Sequence, residues 1–96
     1  MARRTVTFAS DTTKKFVPNH RRDGQYHATI QNLTTQTITI TVTNEDIQGS
    51  SPTFDTPAAG ALTVTAGAIG VINEAYDGWL LTATSTSGTV NIVESG

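Results

Sequence analysis

The chain has 96 residues, of which 36% are hydrophobic, 15% are charged and none is cysteine, and its net charge is −2. This length fits one small domain, and the missing cysteines exclude disulfides and cysteine-based metal sites. The composition is not that of a coiled coil or a disordered chain, and no apolar run approaches the ~20 residues of a membrane span.

The N-terminal part predicts one short strand followed by a basic arm. Val6 and Phe8 alternate with polar residues over 5–9, which is the two-residue period of a strand. Residues 10–24 combine Ser, Asp, Pro, Asn and Gly with most of the positive charge, so we expect a loop there. The sequence therefore divides into a basic N-terminal arm over 1–24 and a β domain over 25–96.

The β domain predicts short strands separated by turn signals. The best-defined strand lies within 36–43, where Ile38, Ile40 and Val42 alternate with threonines and so form one dry and one wet face. Further strands are expected at 25–31, 61–65, 68–73, 79–84 and 89–93, with a hairpin loop over 85–88. The predicted fold is all-β: one antiparallel β-sandwich of seven to eight short strands, with jelly-roll or immunoglobulin-like connections. A barrel is the alternative.

Positive and negative charges are segregated along the chain. The first 22 residues carry a net charge of +5, whereas the other 74 contain seven acidic residues and no basic one. The basic segment either folds onto its own acidic body or docks on an acidic partner or nucleic acid. The candidate partner-binding residues are Arg3, Arg4, Lys14, Lys15, Arg21 and Arg22.

Long stretches of the body carry no charge at all. No Asp, Glu, Lys or Arg occurs in 24–44, 56–73 or 78–93. Charged edges keep free β-proteins from pairing with one another, so their absence favours a protein that works within an assembly. We therefore expect a homo-oligomer.

Few residues could carry chemistry. His20 and His27 lack the further ligands that a metal site needs, and Glu45 and Asp46 are neighbours that would point to opposite faces of a strand. No nucleophile motif is present either. We therefore expect no enzymatic activity, no metal and no cofactor.

The segment from Tyr76 to Trp79 resembles a sugar-binding surface in composition. It joins two aromatic rings to an acidic residue, so Tyr76, Asp77 and Trp79 are candidate contacts for a glycan or another surface. The competing interpretation places Trp79 in the core as the anchor of its strand. We favour the core position.

Three pieces of the stretch from Tyr26 to Glu94 resemble small β-sandwich proteins of phage virions. They are ATIQN at 28–32 with the strand at 38–42, PAAGALTV at 57–64, and GWLLTA at 78–83 leading to SGTVNIVE at 87–94. Proteins of this kind decorate capsids or build head fibres, necks and tails. The resemblance implies a non-enzymatic virion protein whose partner is the major capsid protein or another virion protein. It leaves the first 22 residues uncovered.

The remaining expectations follow from this resemblance and from its rivals. No apolar stretch follows Met1-Ala2-Arg3-Arg4, so we predict no signal peptide, synthesis in the host cytoplasm and a place in the virion rather than at a membrane. One alternative is a carbohydrate- or surface-binding module that uses Tyr76 and Trp79. The second is a nucleic-acid-binding protein that uses the basic arm, although the acidic body argues against it.

Overall fold

Six antiparallel strands make up the fold in a computed structural model of the chain, which describes residues 2–18, 26–45 and 52–95. Within these ranges no helix is long and apolar enough to cross a membrane. The strands are β1 (Ala2–Phe16), β2 (His27–Asn32), β3 (Ile38–Thr43), β4 (Leu62–Val64), β5 (Ile69–Ile72) and β6 (Gly78–Ser95).

The long last strand organises the sheet. One edge of β6 pairs with β1 from end to end, whereas the other edge pairs first with β3 and then with β2. Strand β4 extends the β3 side and β5 extends the β2 side, which gives the order β4-β3-β6-β2-β5. The sheet therefore has two halves, the β3–β4 half and the β2–β5 half, and both share β1 and β6.

Strands β1 and β6 bend where the two halves meet. In β6 the buried positions are odd-numbered at Trp79 and Leu81 but even-numbered at Val90 and Ile92, so the strand changes its inward face in between. Opposite this point β1 shifts register twice between residues 9 and 13, and Ser10 adopts a φ of 63°. Bulges of this kind bend and twist a strand. The two halves consequently face each other, and the sheet is nearly closed into a barrel.

The core lies between the two halves and is centred on Trp79. Ile38 and Ile40 are fully buried, as their alternation predicted, and Trp79 is fully buried as well. The ring of Phe16 lies 4.8 Å from the Trp79 ring, and the Tyr26 ring meets it edge-on at 6.3 Å. The core position of Trp79 that the sequence favoured is therefore confirmed.

Asn32 is a buried polar side chain that fixes the turn after β2. Its Nδ2 donates to the carbonyls of Gln36 at 2.7 Å and Val64 at 2.8 Å, and its Oδ1 accepts from the amide and the hydroxyl of Thr34. All of its hydrogen-bonding capacity is used, as burial requires. The residue thereby ties the end of β2 to the end of β4, across the two halves.

The all-β antiparallel prediction is confirmed, but some of its details are not. The structure describes six strands in one hydrogen-bonded sheet, not seven or eight, and it does not confirm the two separate sheets of a β-sandwich. The predicted hairpin loop over 85–88 is wrong, because this segment continues β6. The stretches on either side of it pair with β1 and not with each other.

The predicted loop over 10–24 also differs. Residues 10–16 continue β1, because Phe16 is held in the core against Trp79, whereas residues 19–25 lie outside the described part. The predicted boundary between the arm over 1–24 and the domain over 25–96 thus separates β1 from β6, although these two strands pair with each other.

Deleting residues 1–16 should unfold the protein. The deletion removes all of β1, together with the buried rings of Phe8 and Phe16. Losing one large core side chain costs about 3–5 kcal/mol, and a whole domain is stable by only about 5–15 kcal/mol. Far-UV circular dichroism and a thermal melt measure the outcome.

A matched control separates the loss of the strand from the loss of its charge. The double variant Arg3→Ser, Lys15→Ser removes two exposed basic side chains but keeps β1, and it should melt cooperatively near the wild-type temperature. A truncated chain that melts as the wild type does would show that β1 is dispensable.

Candidate functional site

The six basic candidate residues do not form one patch. Arg3 pairs with Val93 and Lys15 with Leu80, so the sheet places these two exposed side chains on different halves. Lys14 forms an ion pair with Asp11 at 3.4 Å, within β1 itself. Arg21 and Arg22 lie outside the described residues, as does His20.

Arg4 is directed at the body of the protein. Its Nε and Nη2 donate to Oε1 of Glu94 at 3.0 and 2.8 Å, and its guanidinium carbon lies 4.2 Å from the centre of the Phe16 ring. The Arg4 side chain is 34% exposed, whereas that of Glu94 is only 8% exposed. For Arg4, this geometry matches the interpretation in which the basic segment folds onto its own acidic body.

Tyr26 completes this cluster. Its hydroxyl donates to Oε2 of Glu94 at 2.5 Å, so both carboxylate oxygens of Glu94 accept hydrogen bonds. Burial, and then the hydrogen bond to the Glu94 carboxylate, raise the pKa of Tyr26 well above its ordinary value. Arg4, Tyr26 and Glu94 form a partly buried polar clamp, which we call the Glu94 clamp, between the N-terminal strand and the last strand.

The three aromatic-segment candidates do not share a surface. Trp79 is fully buried, so its ring is not available to a sugar. The half-buried Tyr76 hydroxyl donates to Glu74 at 2.6 Å and accepts from the amide of Ala58 at 2.9 Å. Desolvation and Glu74 raise the pKa of Tyr76. Only Asp77 is exposed, and its backbone N–H donates to the carbonyl of Thr43.

An open acidic cleft of about 470 Å³ lies beside Tyr76. Glu45 and Asp55 line it, and Glu45 accepts a hydrogen bond from the amide of Thr53 at 2.6 Å. Sequence reasoning missed this cleft, because its walls come from three separate segments. Over residues 2–18, 26–45 and 52–95, no group of three or more acidic or histidine side chains could hold a metal ion. His27 contacts Asn73 at the surface.

The outer face of the β3–β4 half carries a row of exposed threonines. Register pairs Thr13 with Thr82, Thr82 with Thr39, and Thr39 with Thr63, so the row crosses four adjacent strands. Neighbouring strands lie about 4.8 Å apart, so the four threonines are evenly spaced along the row. We call it the threonine row; it offers hydroxyl and methyl groups but no charge.

The outer face of the β2–β5 half exposes large apolar side chains. Leu33, Ile69 and Val71 are 50%, 62% and 45% exposed. Ile69 and Val71 pair with Gln31 and Thr29 of β2, and Leu33 follows two residues after Gln31, so all three lie on the same face. Each half of the sheet therefore exposes a group of uncharged side chains, together with the basic side chain of Lys15 on one half and of Arg3 on the other.

Comparison with known proteins gives no family for the chain. No model of a protein family matches it, and neither a curated protein nor a solved structure is significantly similar to it.

The raised pKa of Tyr26 predicts a loss of stability at alkaline pH. Above the ordinary tyrosine pKa of 10.0 the unfolded chain releases this proton while the folded protein keeps it. The unfolded state then binds fewer protons, so the free energy of unfolding falls, by up to about 1.4 kcal/mol per pH unit for this group. Tyr26→Phe should therefore show a shallower decline than the wild type.

Urea unfolding at a series of pH values between about 9 and 11.5 measures these slopes. Tyr76→Phe is the control, and it should change the slope less because Tyr76 is less buried than Tyr26. Equal slopes for the wild type and Tyr26→Phe would contradict the assignment of Tyr26 to the Glu94 clamp.

Proposed function

We propose that the protein is a non-enzymatic structural subunit of a phage-like particle. It binds the outside of an assembled capsid as a decoration or cementing subunit, or it forms part of the neck or tail. Its partners are the major capsid protein or another virion protein, and further copies of itself. On this proposal the two facing halves of the sheet correspond to the two layers of the jelly-roll or immunoglobulin-like sandwich that the sequence resemblance implies.

The observation that carries the proposal is a group of uncharged exposed side chains on the outer face of each half of the sheet. The threonine row spans four strands without a charge, and the opposite half exposes Leu33, Ile69 and Val71. Contiguous exposed apolar surface on a small protein is typical of a protein-binding site. An evenly spaced row of uncharged side chains is suited to lie against a regular surface such as a capsid lattice.

The proposed mechanism is the bridging of neighbouring shell subunits. A rigid domain that contacts two coat subunits at once binds the assembled shell and not the free subunits. By mass action, a ligand that binds only one state stabilises that state. Rigidity comes from β1 and β6, which run through both halves of the sheet.

The geometry lends less support to the two alternative functions. A carbohydrate site at Tyr76 and Trp79 would lack its main stacking ring, because Trp79 is buried. A nucleic-acid site in the basic segment would lose Arg4 to the Glu94 clamp and Lys14 to its pair with Asp11.

Co-sedimentation with particles tests the proposed function. Particles from the source of this sequence are purified on a density gradient, and the protein is quantified by peptide mass spectrometry. We expect it in the particle fraction, with on the order of hundreds of copies for a shell subunit or about six or twelve for a neck or tail ring. Recovery only with free soluble proteins would contradict the proposal.

Two variants extend this test to the contact face. Recombinant Thr82→Lys places a charge in the threonine row, and we expect it to bind particles less than the wild type. Thr7→Lys is the matched control, because Thr7 is also exposed on a strand but lies on the other half.

A further inference from the structure

The open edges of the sheet differ in how well they are protected. Within the described ranges, β1, β4 and β5 each pair on one side only. Natural sheets protect such edges with charges, bulges or short strands. Strand β1 has charged residues and two register shifts, and β4 is only three residues long. Strand β5 has no charged residue, no proline and an unbroken register against β2.

The free edge of β5 offers backbone groups next to exposed apolar side chains. The amide of Asn32 donates to the carbonyl of Ala68 at 3.0 Å, so this carbonyl and the backbone groups of the alternate residues Gly70 and Ile72 face β2. Ile69 and Val71 therefore turn theirs to the open edge. Their side chains are also the two apolar groups that β5 exposes to solvent.

The neighbouring segment does not pair with this edge. A groove of about 230 Å³ separates residues 57–62 from residues 71–74. The Tyr76 hydroxyl links the two segments, because it accepts a hydrogen bond from the amide of Ala58 in one and donates a hydrogen bond to Glu74 in the other. Residues 57–62 are thus held beside β5 without pairing with its edge.

We propose that the free edge of β5 binds the β5 strand of a second copy of this chain, in an antiparallel two-fold pair. In the register centred on Gly70, Ile69 lies opposite Val71 of the second copy, and each such pair exchanges both backbone hydrogen bonds. Gly70 then meets its own symmetry mate. Gly70 also packs closely within its own copy, because an added Cβ would lie 2.7 Å from Cγ2 of Val64 in the same chain.

The charge pattern selects a second copy as the occupant. A two-fold contact brings the residues near the axis close to their own symmetry mates, so a charge at that part of the edge would repel its copy. No charged residue occurs from 56 to 73, and in the register centred on Gly70 the first acid, Glu74, lies opposite the uncharged Ala66 of the second copy. The exposed Ile69 and Val71 side chains form one apolar stripe across the new strand pair.

The dimer should be weak in solution. A contact built on a four-residue strand is small, and small interfaces are typical of transient complexes. Two copies held on the same particle surface would pair more strongly, because binding to the particle raises their effective concentration. This use of the contact rests on the proposed function, whereas the strand pairing itself does not.

Sedimentation equilibrium of the full chain tests the inference. Between about 10 µM and 1 mM we expect the average mass to rise from the 10.1 kDa monomer toward twice that value. Val71→Lys should remain monomeric over this range, because it brings like charges together near the two-fold axis. Thr82→Lys, an exposed substitution on the other half, should associate as the wild type does.

Amide hydrogen exchange followed by NMR gives an independent readout on the wild-type chain. Protection of the Ile69 and Val71 amides should rise with protein concentration, whereas the Gly70 and Ile72 amides, which face β2, should be protected at every concentration. Exchange at Ile69 and Val71 that is independent of concentration, or a wild-type chain that stays monomeric, overturns the inference.

The failure of this inference can be told apart from the failure of the proposed function. A chain that is monomeric in solution but co-sediments with particles overturns the β5 pairing and leaves the structural role intact. A chain that dimerises through Val71 but never binds particles overturns the structural role and leaves the β5 pairing intact.

Discussion

The side chain of Glu94 is almost completely removed from solvent, and a buried carboxylate is tolerated only when it is paired and hydrogen-bonded. Glu94 has two side-chain partners that are distant from it in sequence. Arg4 lies near the start of β1, and Tyr26 lies just before β2. Arg4 also covers the ring of Phe16, which packs on Trp79. Because both ends of β1 and both ends of β6 meet here, the clamp is the point at which the bent sheet closes.

This closure also determines which side chains are exposed for contact with other proteins. Basic residues that the sequence assigned to an arm are partly used inside the domain, as Arg4 and Lys14 show. The outer faces of the sheet carry threonines, a few exposed apolar groups and the two exposed basic side chains Arg3 and Lys15. The threonine row lies on one half and the β5 edge on the other, so a subunit could contact a shell with one half and a second copy with the other. Both contacts depend on the rigid connection of the two halves through β6.

Local periodicity was enough to predict much of the fold, because inward-facing residues such as Ile38 and Ile40 alternate strictly with threonine. Long-range pairing could not be predicted. The Ser, Thr and Gly residues of 85–88 are typical of a turn, yet they continue β6 because β1 runs beside them; the amide of Ser10 bonds Ser87, 77 residues away. Charge segregation indicated that the basic segment could fold onto the acidic body, but not that Arg4 would meet Glu94. The acidic cleft was missed since three distant segments form it.

A double-mutant cycle on Arg4 and Glu94 tests most directly whether the Glu94 clamp closes the fold. Arg4→Met and Glu94→Gln keep side-chain volume while removing charge, and urea unfolding gives the free energy of unfolding of each variant. We expect a coupling energy of about 0.5–3 kcal/mol, as for residues in one hydrogen-bonded network. The exposed pair Asp11→Asn and Lys14→Met is the control, and its coupling should be clearly smaller. A coupling between Arg4 and Glu94 no larger than that of the exposed pair would contradict the account.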